Sequence, residues 1–276
     1  MYNKPWKPQP DILFSSEKKN PYKGNDHVAV VVTNYNYEKY VIDCLDSIAA
    51  QTHKPLSLVV IDDNSCEDNS RAEILKWMTD NEGRFVSALL LHNVMNQGPS
   101  ASRNTAIELC SAESIFVIDA DNEIFPTAIS KLHAGMVRAG ADAIYSQIVE
   151  FGARSGIGSA DLWDVQRMYK NNYVDVMSLI KRSAWSSVGG FSHIEEGWED
   201  YDFWLKVIDK GLDVVFLPEI LCRYRVHSTS RTATEAYKSH FELETVMRYR
   251  HPSPPRTALA GTALSSAVVR QNGRAK

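Results

Sequence analysis

Short, nearly continuous apolar runs recur through the first half of the chain, at Val28–Val32, Leu58–Ile61, Val86–Leu91 and Ile115–Ile118. Runs of this length predict strands covered on both faces of a sheet. Between them the apolar residues change period. Val41, Leu45, Ile48 and Ala49 recur at helical spacing, a second helix covers Arg71 to Met78, and Gly98-Pro99 open a third that carries Ala101, Thr105, Leu109 and Cys110. Proline suits a first helical turn, where its missing N–H is not needed. Strand alternating with helix predicts an α/β domain, Rossmann-like, with a mostly parallel central sheet flanked by helices.

The second half is less regular. Val174–Ile180 and Val214–Leu217 read as strands, and Tyr201, Trp204, Leu205 and Ile208 form the apolar face of a helix. A last helix is predicted from Glu235 to Arg250, stopped by Pro252, Pro254 and Pro255. Gly152, Gly156 and Gly158 lack the strand-to-helix setting of a dinucleotide fingerprint and read as a flexible surface loop. Residues 1–27 hold four prolines and no sustained period, predicting an extended arm that packs on a partner or stays mobile. The expected organisation is therefore an arm at 1–27, one domain at 28–230, and a helix with a weakly ordered tail at 231–276.

Composition narrows the function classes. Thirty Lys and Arg against thirty-four Asp and Glu leave a net charge of −4, so no basic excess is available for a nucleic-acid backbone. No apolar run is long enough to span a bilayer, and no basic segment with an apolar core opens the chain. The four cysteines form no CxxC pair, which argues against a disulfide scaffold or a Cys-type zinc site and predicts a reducing, cytoplasmic setting.

Open α/β sheets bind ligands at the carboxyl ends of their strands. Here those ends deliver Thr33-Asn34-Tyr35-Asn36, Asp62-Asp63-Asn64-Ser65 and Asp119-Ala120-Asp121-Asn122. Acids crowded at one edge repel one another, so they call for a cation or for donor groups. Asp119 and Asp121 are spaced to share one hard divalent cation, or alternatively to form an acidic turn. Asp62-Asp63 suits a pyrimidine imide N–H, or alternatively a turn or a helix cap. Arg103, one turn into its helix, reaches a phosphate or base, or pairs with one of these acids. Glu199 and Asp200 open a helix behind Gly197-Trp198, either as caps or with Asp200 as a general base and Trp198 as a stacking face. Arg223, Arg225 and His227 form a basic string, read either as a solvated edge or as a lid over a diphosphate.

Taken in order, VVVTNYNYEKYVIDCLDSIAAQT, VVIDDNSCEDNS, NQGPSASRNTAIELC, FVIDADNEIFP, VGGF and GWEDYDFWLKV resemble the family 2 glycosyltransferases of the GT-A fold, from about Val28 to His227. The resemblance implies that Thr33, Tyr35 and Asp63 hold the nucleobase. It places Asp119 at the ribose or the metal shell, and Arg103 and His227 near the nucleotide, its phosphates or the metal. Asp121 would ligate Mg²⁺ or Mn²⁺, Asp200 would be the catalytic base, and Trp198 and Glu199 would lie on the acceptor side. The reaction implied is a single displacement with inversion, from a UDP- or dTDP-sugar to a hydroxyl of a carbohydrate, a lipid-linked sugar or another compound. Peripheral membrane association and the oligomeric state stay open, and the alternative is a non-catalytic subunit that binds a sugar nucleotide. Asn122 stands where the family often has a third acid, and Ser111–Ser114 replaces its usual glycine. A dehydrogenase or a nucleotidyltransferase would need a Gly-rich loop after the first strand, where this chain has Thr33–Asn36.

Overall fold

The strands β2 (Val28–Asn34) and β3 (Leu56–Asp62) are buried at every residue, as their unbroken apolar character requires. Alternate residues of β2 serve two cores. Ala29 and Val31 join one face of the sheet, while Val28, Val30 and Val32 join the other. Each fully buried Val or Ile contributes roughly 1.5–3 kcal/mol of gross transfer free energy, which makes this strand pair the centre of the fold. The computed structural model describes residues 10–18, 24, 26–194, 197–228, 230 and 239–252.

The remaining elements follow in chain order. Around those two strands come β1 (Asp11–Glu17), α1 (Glu38–Ala49), α2 (Ser70–Asn81), β4 (Ser87–His92), α3 (Pro99–Leu109), β5 (Ser114–Asp119), β6 (Glu123–Ile124) and α4 (Ala128–Ala139). The second half supplies β7 (Ala143–Gly152), β8 (Gly156–Ile157), α5 (Val165–Met168), β9 (Ser178–Lys181), α6 (Arg182–Ser187), α7 (Glu199–Asp209), β10 (Val214–Val226) and α8 (His240–Arg250). The sheet runs β1-β4-β3-β2-β5-β9-β7-β10-β6, with β8 paired to β7. β4, β3, β2 and β5 are mutually parallel. The chain moves outward from β2 first through β3 and then back to β5, so a topological switch lies between β2 and β5.

Four departures from expectation have local causes. Asp11–Glu17, inside the expected arm, forms an edge strand of the domain's own sheet, antiparallel to β4. Its Phe14 is half-buried against the core, a two-residue period hidden beneath the proline-rich composition. The glycine loop is a hairpin in which Val149 pairs with Ile157. There Gly152 turns at φ 96°, and a Cβ would lie 2.8 Å from the Val226 carbonyl oxygen. The strand expected from Val174 begins only at Ser178, because the Asp175 carboxylate accepts the Met177 N–H (2.8 Å) and turns the chain. β10 runs past Pro218 through a register shift between Leu217 and Ile220, which carries Arg223 and Arg225 within a strand instead of beyond one.

α8 spans His240–Arg250 and is followed by Pro252; the predicted start at Glu235, together with Pro254, Pro255 and the tail, lies outside the described residues. Among the described residues no helix is long and apolar enough to cross a membrane.

Candidate active site

The ends of β2, β3 and β5 open into one cavity of about 640 Å³. Thr33, Tyr35, Asp63, Arg103, Asp119, Asp121, Trp198, Glu199 and Asp200 all line it. His227 reaches it through Asp121, with Nε2 3.0 Å from the Asp121 carboxylate.

The two aspartates at the end of β3 have separate tasks. Asp62 is fully buried and closes the loop behind it, accepting from the Asn34 amide (2.8 Å), the Ser65 N–H (3.1 Å) and the Ser65 hydroxyl (2.5 Å). Asp63 turns towards the cavity. Its Oδ1 accepts from the Asn93 amide (2.7 Å) and the Gln97 N–H (2.8 Å), and its Oδ2 from the Gly98 N–H (2.8 Å). Those backbone donors sit just ahead of α3, where Gly98 at φ 80° and Pro99 start the helix. Burial raises the pKa of Asp63 while these bonds oppose the rise. The Ser102 hydroxyl also bonds this carboxylate, and each carboxylate oxygen has capacity for more than one donor.

From Thr33 a polar chain crosses the cavity. The Thr33 hydroxyl donates to Asp119 (2.6 Å). Arg103, only 3% exposed, grips both oxygens of Asp119 through one amino group (2.8 and 2.9 Å) and gives the other to Glu199 (2.8 Å). Burial alone would depress the guanidinium pKa; the charges of Asp119 and Glu199 overcome that and hold it above its ordinary value. Of the readings open for Arg103, pairing with the acids is the one this geometry contains. It ties the end of β5 to the start of α7.

Asp121 is 7% exposed. One of its oxygens meets His227, and the Tyr37 hydroxyl also bonds this carboxylate; Oδ1 is buried with no hydrogen-bond partner in close geometry among the described residues. An unsatisfied carboxylate oxygen in a polar cavity fits a cation ligand. Burial raises the Asp121 pKa, and the His227 bond pulls against it. Among the described residues no group of three His, Cys, Asp or Glu forms a ready-made cage. A divalent ion held in part by a bound phosphate group would not need one. The two arginines of the basic string are paired with acids. Arg223 pairs with Glu123, and Arg225 binds Glu123 (2.7 Å), Asp43 (3.1 Å) and the Asp121 carbonyl (2.9 Å). Asn122, in place of a third acid, accepts the Arg225 N–H (2.9 Å) and so locks the loop to β10.

On the far side of the chain of ion pairs, Trp198 precedes α7 in the left-handed region (φ 62°), a conformation rare for a bulky side chain and costing about 1–3 kcal/mol. It aims the first turn of α7 at the cavity. Asp200, half-buried there, accepts from its own helix's Tyr201 N–H (2.8 Å) and from the Asn172 amide (3.0 Å). Burial and then the Glu199 charge push its carboxyl up to about 6, against the pull of Arg103. A carboxyl at that value accepts a proton near neutral pH.

Of the lining residues that escaped the sequence reading, two bear on the chemistry. Asn172 orients Asp200, and Asp175 adds another acid whose carboxyl burial and the charges of Asp200 and Asp119 push up to about 7. Asn172 lies in a non-periodic stretch, and Asp175 falls inside the segment expected to be a strand from Val174, where its side-chain turn instead delays β9.

The sequence profile described as Glycosyl transferase family 2 matches residues 29–192. Glycosyltransferase GlyA of Streptococcus pneumoniae serotype 4 is 28% identical over 233 residues, covering 77% of this chain and 33% of GlyA. This chain thus spans a third of the length of that relative. The TarS 1-349 structure from S. aureus in complex with UDP-GlcNAc superimposes with a TM-score of 0.66 at 17% identity, covering 82% of this chain and 68% of TarS 1-349. The mannosyltransferase PcManGT from Pyrobaculum calidifontis, in complex with GDP-Man and Mn²⁺, gives 0.61 at 18% identity, covering 91% and 69%.

Proposed function

The chain belongs to glycosyl transferase family 2, and from that premise we propose that it moves a sugar from a UDP- or dTDP-sugar to an acceptor hydroxyl, with inversion and with a divalent cation. One observation carries the reading: a single cavity holds a carboxyl at about 6, on Asp200, and a buried carboxylate oxygen, on Asp121, that is unsatisfied among the described residues.

Asp200 takes the proton of the acceptor hydroxyl as that oxygen bonds to the anomeric carbon. The bond from that carbon to the diphosphate oxygen breaks on the opposite face, so one displacement inverts the centre. Asp63 accepts the imide N–H of the pyrimidine at Oδ2. Thr33 and Arg103 hold Asp119 still at the nucleotide side. Asp121, with His227 beside it, would hold Mg²⁺ or Mn²⁺, which when bound neutralises charge on the departing diphosphate. UDP-GlcNAc in TarS, and GDP-Man with Mn²⁺ in PcManGT, support both a nucleotide-sugar donor and a divalent ion. The four free cysteines support a reducing, cytoplasmic setting.

Thermal-shift titration with nucleoside diphosphates and Mn²⁺ should give the largest stabilisation with UDP or dTDP. A larger shift with GDP or ADP would remove Asp63 from its role. Asp200→Asn should cut donor turnover by about 10²–10⁴-fold with UDP binding kept. Full turnover by that variant would end the base assignment.

A further inference from the structure

A second cavity of about 520 Å³ adjoins the first, walled by α7, α8 and the segment at 169–172. That volume falls in the range of ordinary ligand sites, roughly 300–1,000 Å³. Asn172 and Trp198 line both cavities, and the Asn172 amide donates to Asp200 in the first (3.0 Å). A ligand that fills the second cavity and passes the Asn172–Trp198 wall would meet the group proposed to take the proton.

The wall is built, not draped. Leu243 and Met247 root α8 in the core. Its end is clamped by the fully buried Asp202, which accepts from Arg250 (2.6 Å) and lies 3.0 Å from the His251 ring. His251 also reaches Asp209 on α7 (2.7 Å). Trp198, held in its left-handed conformation, puts its ring edge-on to His240 of α8 at 5.1 Å.

The lining mixes aromatic faces with polar tips. Tyr169 and Trp198 supply rings, while Asn172, Glu244, Arg248 and His240 supply donors and acceptors. Flat apolar faces flanked by hydrogen-bonding groups match a sugar ring, which carries C–H faces and a rim of hydroxyls. Glu244 and Arg248, 3.5 Å apart and open to solvent, offer a sugar's hydroxyls charged partners that an acyl chain would leave unused.

On these grounds, and resting on the glycosyl-transfer reading above, we infer that the second cavity is the acceptor subsite and that it takes an oligosaccharide, stacked on Trp198 and Tyr169, with its terminal hydroxyl at Asp200. The full chain, loaded with UDP and Mn²⁺, is applied to an array of defined oligosaccharides. At least one glycan family should bind. Glu244→Trp, which fills the cavity, and Tyr169→Ala, which removes a stacking face, should each weaken that binding about tenfold or more. UDP affinity, read by calorimetry on the same samples, should move less than about twofold, which shows that the variants are folded. Unchanged glycan binding in both variants overturns the inference. So does a chain that binds UDP yet no oligosaccharide, or one whose turnover requires a lipid-linked or protein acceptor. Glycan binding here without any nucleotide binding would instead refute the transfer reading and leave the cavity's ligand class standing.

Discussion

Asp63 and Asp200 are both acids set in the wall of one cavity, yet their surroundings point them to different work. Asp63 sits where a central strand ends, and its two oxygens meet three N–H donors that oppose the effect of burial. Asp200 sits at the start of a helix, with Glu199 beside it and Asp175 close enough to be influenced by its charge, and its carboxyl rises to about 6. The first arrangement keeps an anion in place for a fixed donor; the second prepares a proton acceptor. The same contrast runs through the two sides of the site. The side formed by β2, β3 and β5 is set by strand ends in a parallel ladder. The side formed by α7 and α8 depends on one strained residue and one buried ionic clamp.

Arg103 is the group that joins the two sides, so its removal tests how separate they are. Arg103→Met leaves Asp119 and Glu199 without their shared cation, both of them substantially buried. Breaking such a buried pair costs about 3–5 kcal/mol. Urea unfolding should show a loss of that size, together with a fall in turnover as Asp119 and Glu199 lose their alignment. A loss below about 1 kcal/mol would mean that the two sides are held independently and that the pair contributes little to stability.

A smaller effect sharpens the contrast through pH. Turnover should rise with pH through the region near 6, as Asp200 gives up its proton, and Asp175, near 7, should broaden that limb because the two carboxyls interact. Asn172→Ala removes a bond that lowers the Asp200 value, so the limb should move to higher pH. A shift of one unit would lower the rate about fivefold at pH 6 and leave it almost unchanged at pH 9. Pyrimidine nucleotide affinity, set on the other side, should not follow. A pH profile identical to that of the parent chain would detach Asn172 from the base.

The difference in construction also explains what the sequence made legible. Strand ends announce themselves: Val28–Val32 and Leu58–Ile61 are apolar at every position, so the polar residues that follow must stand at a sheet edge. Pro99 marks the helix start that supplies donors to Asp63. Which member of Asp62-Asp63 faces the cavity came from the resemblance, because both readings fit the local pattern. Asn172 lies where no period operates, and Asp175 was hidden inside an apolar run that reads as a strand, because a side-chain turn that breaks such a run leaves no mark on its hydrophobic pattern. The role of Asp202 was hidden for another reason. Its partners Arg250 and His251 are about fifty positions away, and spacing in the chain carries no information about a contact that exists only after α8 docks. The edge strand at Asp11–Glu17 was masked by its flanking prolines and lysines.

The clamp itself yields the smallest predicted effect and the most local one. Burial works to lower the pKa of His251, but its bonds to Asp202 and Asp209 prevail and raise it above the ordinary 6.5. For Asp202, burial works upward, and the His251 bond, the Lys206 charge and the Arg250 bond prevail and hold the carboxyl below the ordinary 3.8. A raised imidazole stabilises the folded form fully below 6.5, and that contribution disappears as pH climbs through its folded value. A depressed carboxyl contributes above 3.8 and loses its effect as pH falls through its own folded value. The docking of α8 should therefore be firmest between about 4 and 6.5 and should loosen on the alkaline side first. Hydrogen exchange of the α8 amides, corrected for intrinsic rates, should show protection lower at pH 8.5 than at pH 5.5 by about two- to threefold, the low end of what one hydrogen bond is worth. His251→Gln should remove that dependence, while the amides of β2 and β3 keep theirs. If α8 and the central strands lose protection together across this range, the helix is not a separately clamped wall, and the contrast between the two sides of the site fails at its most specific point.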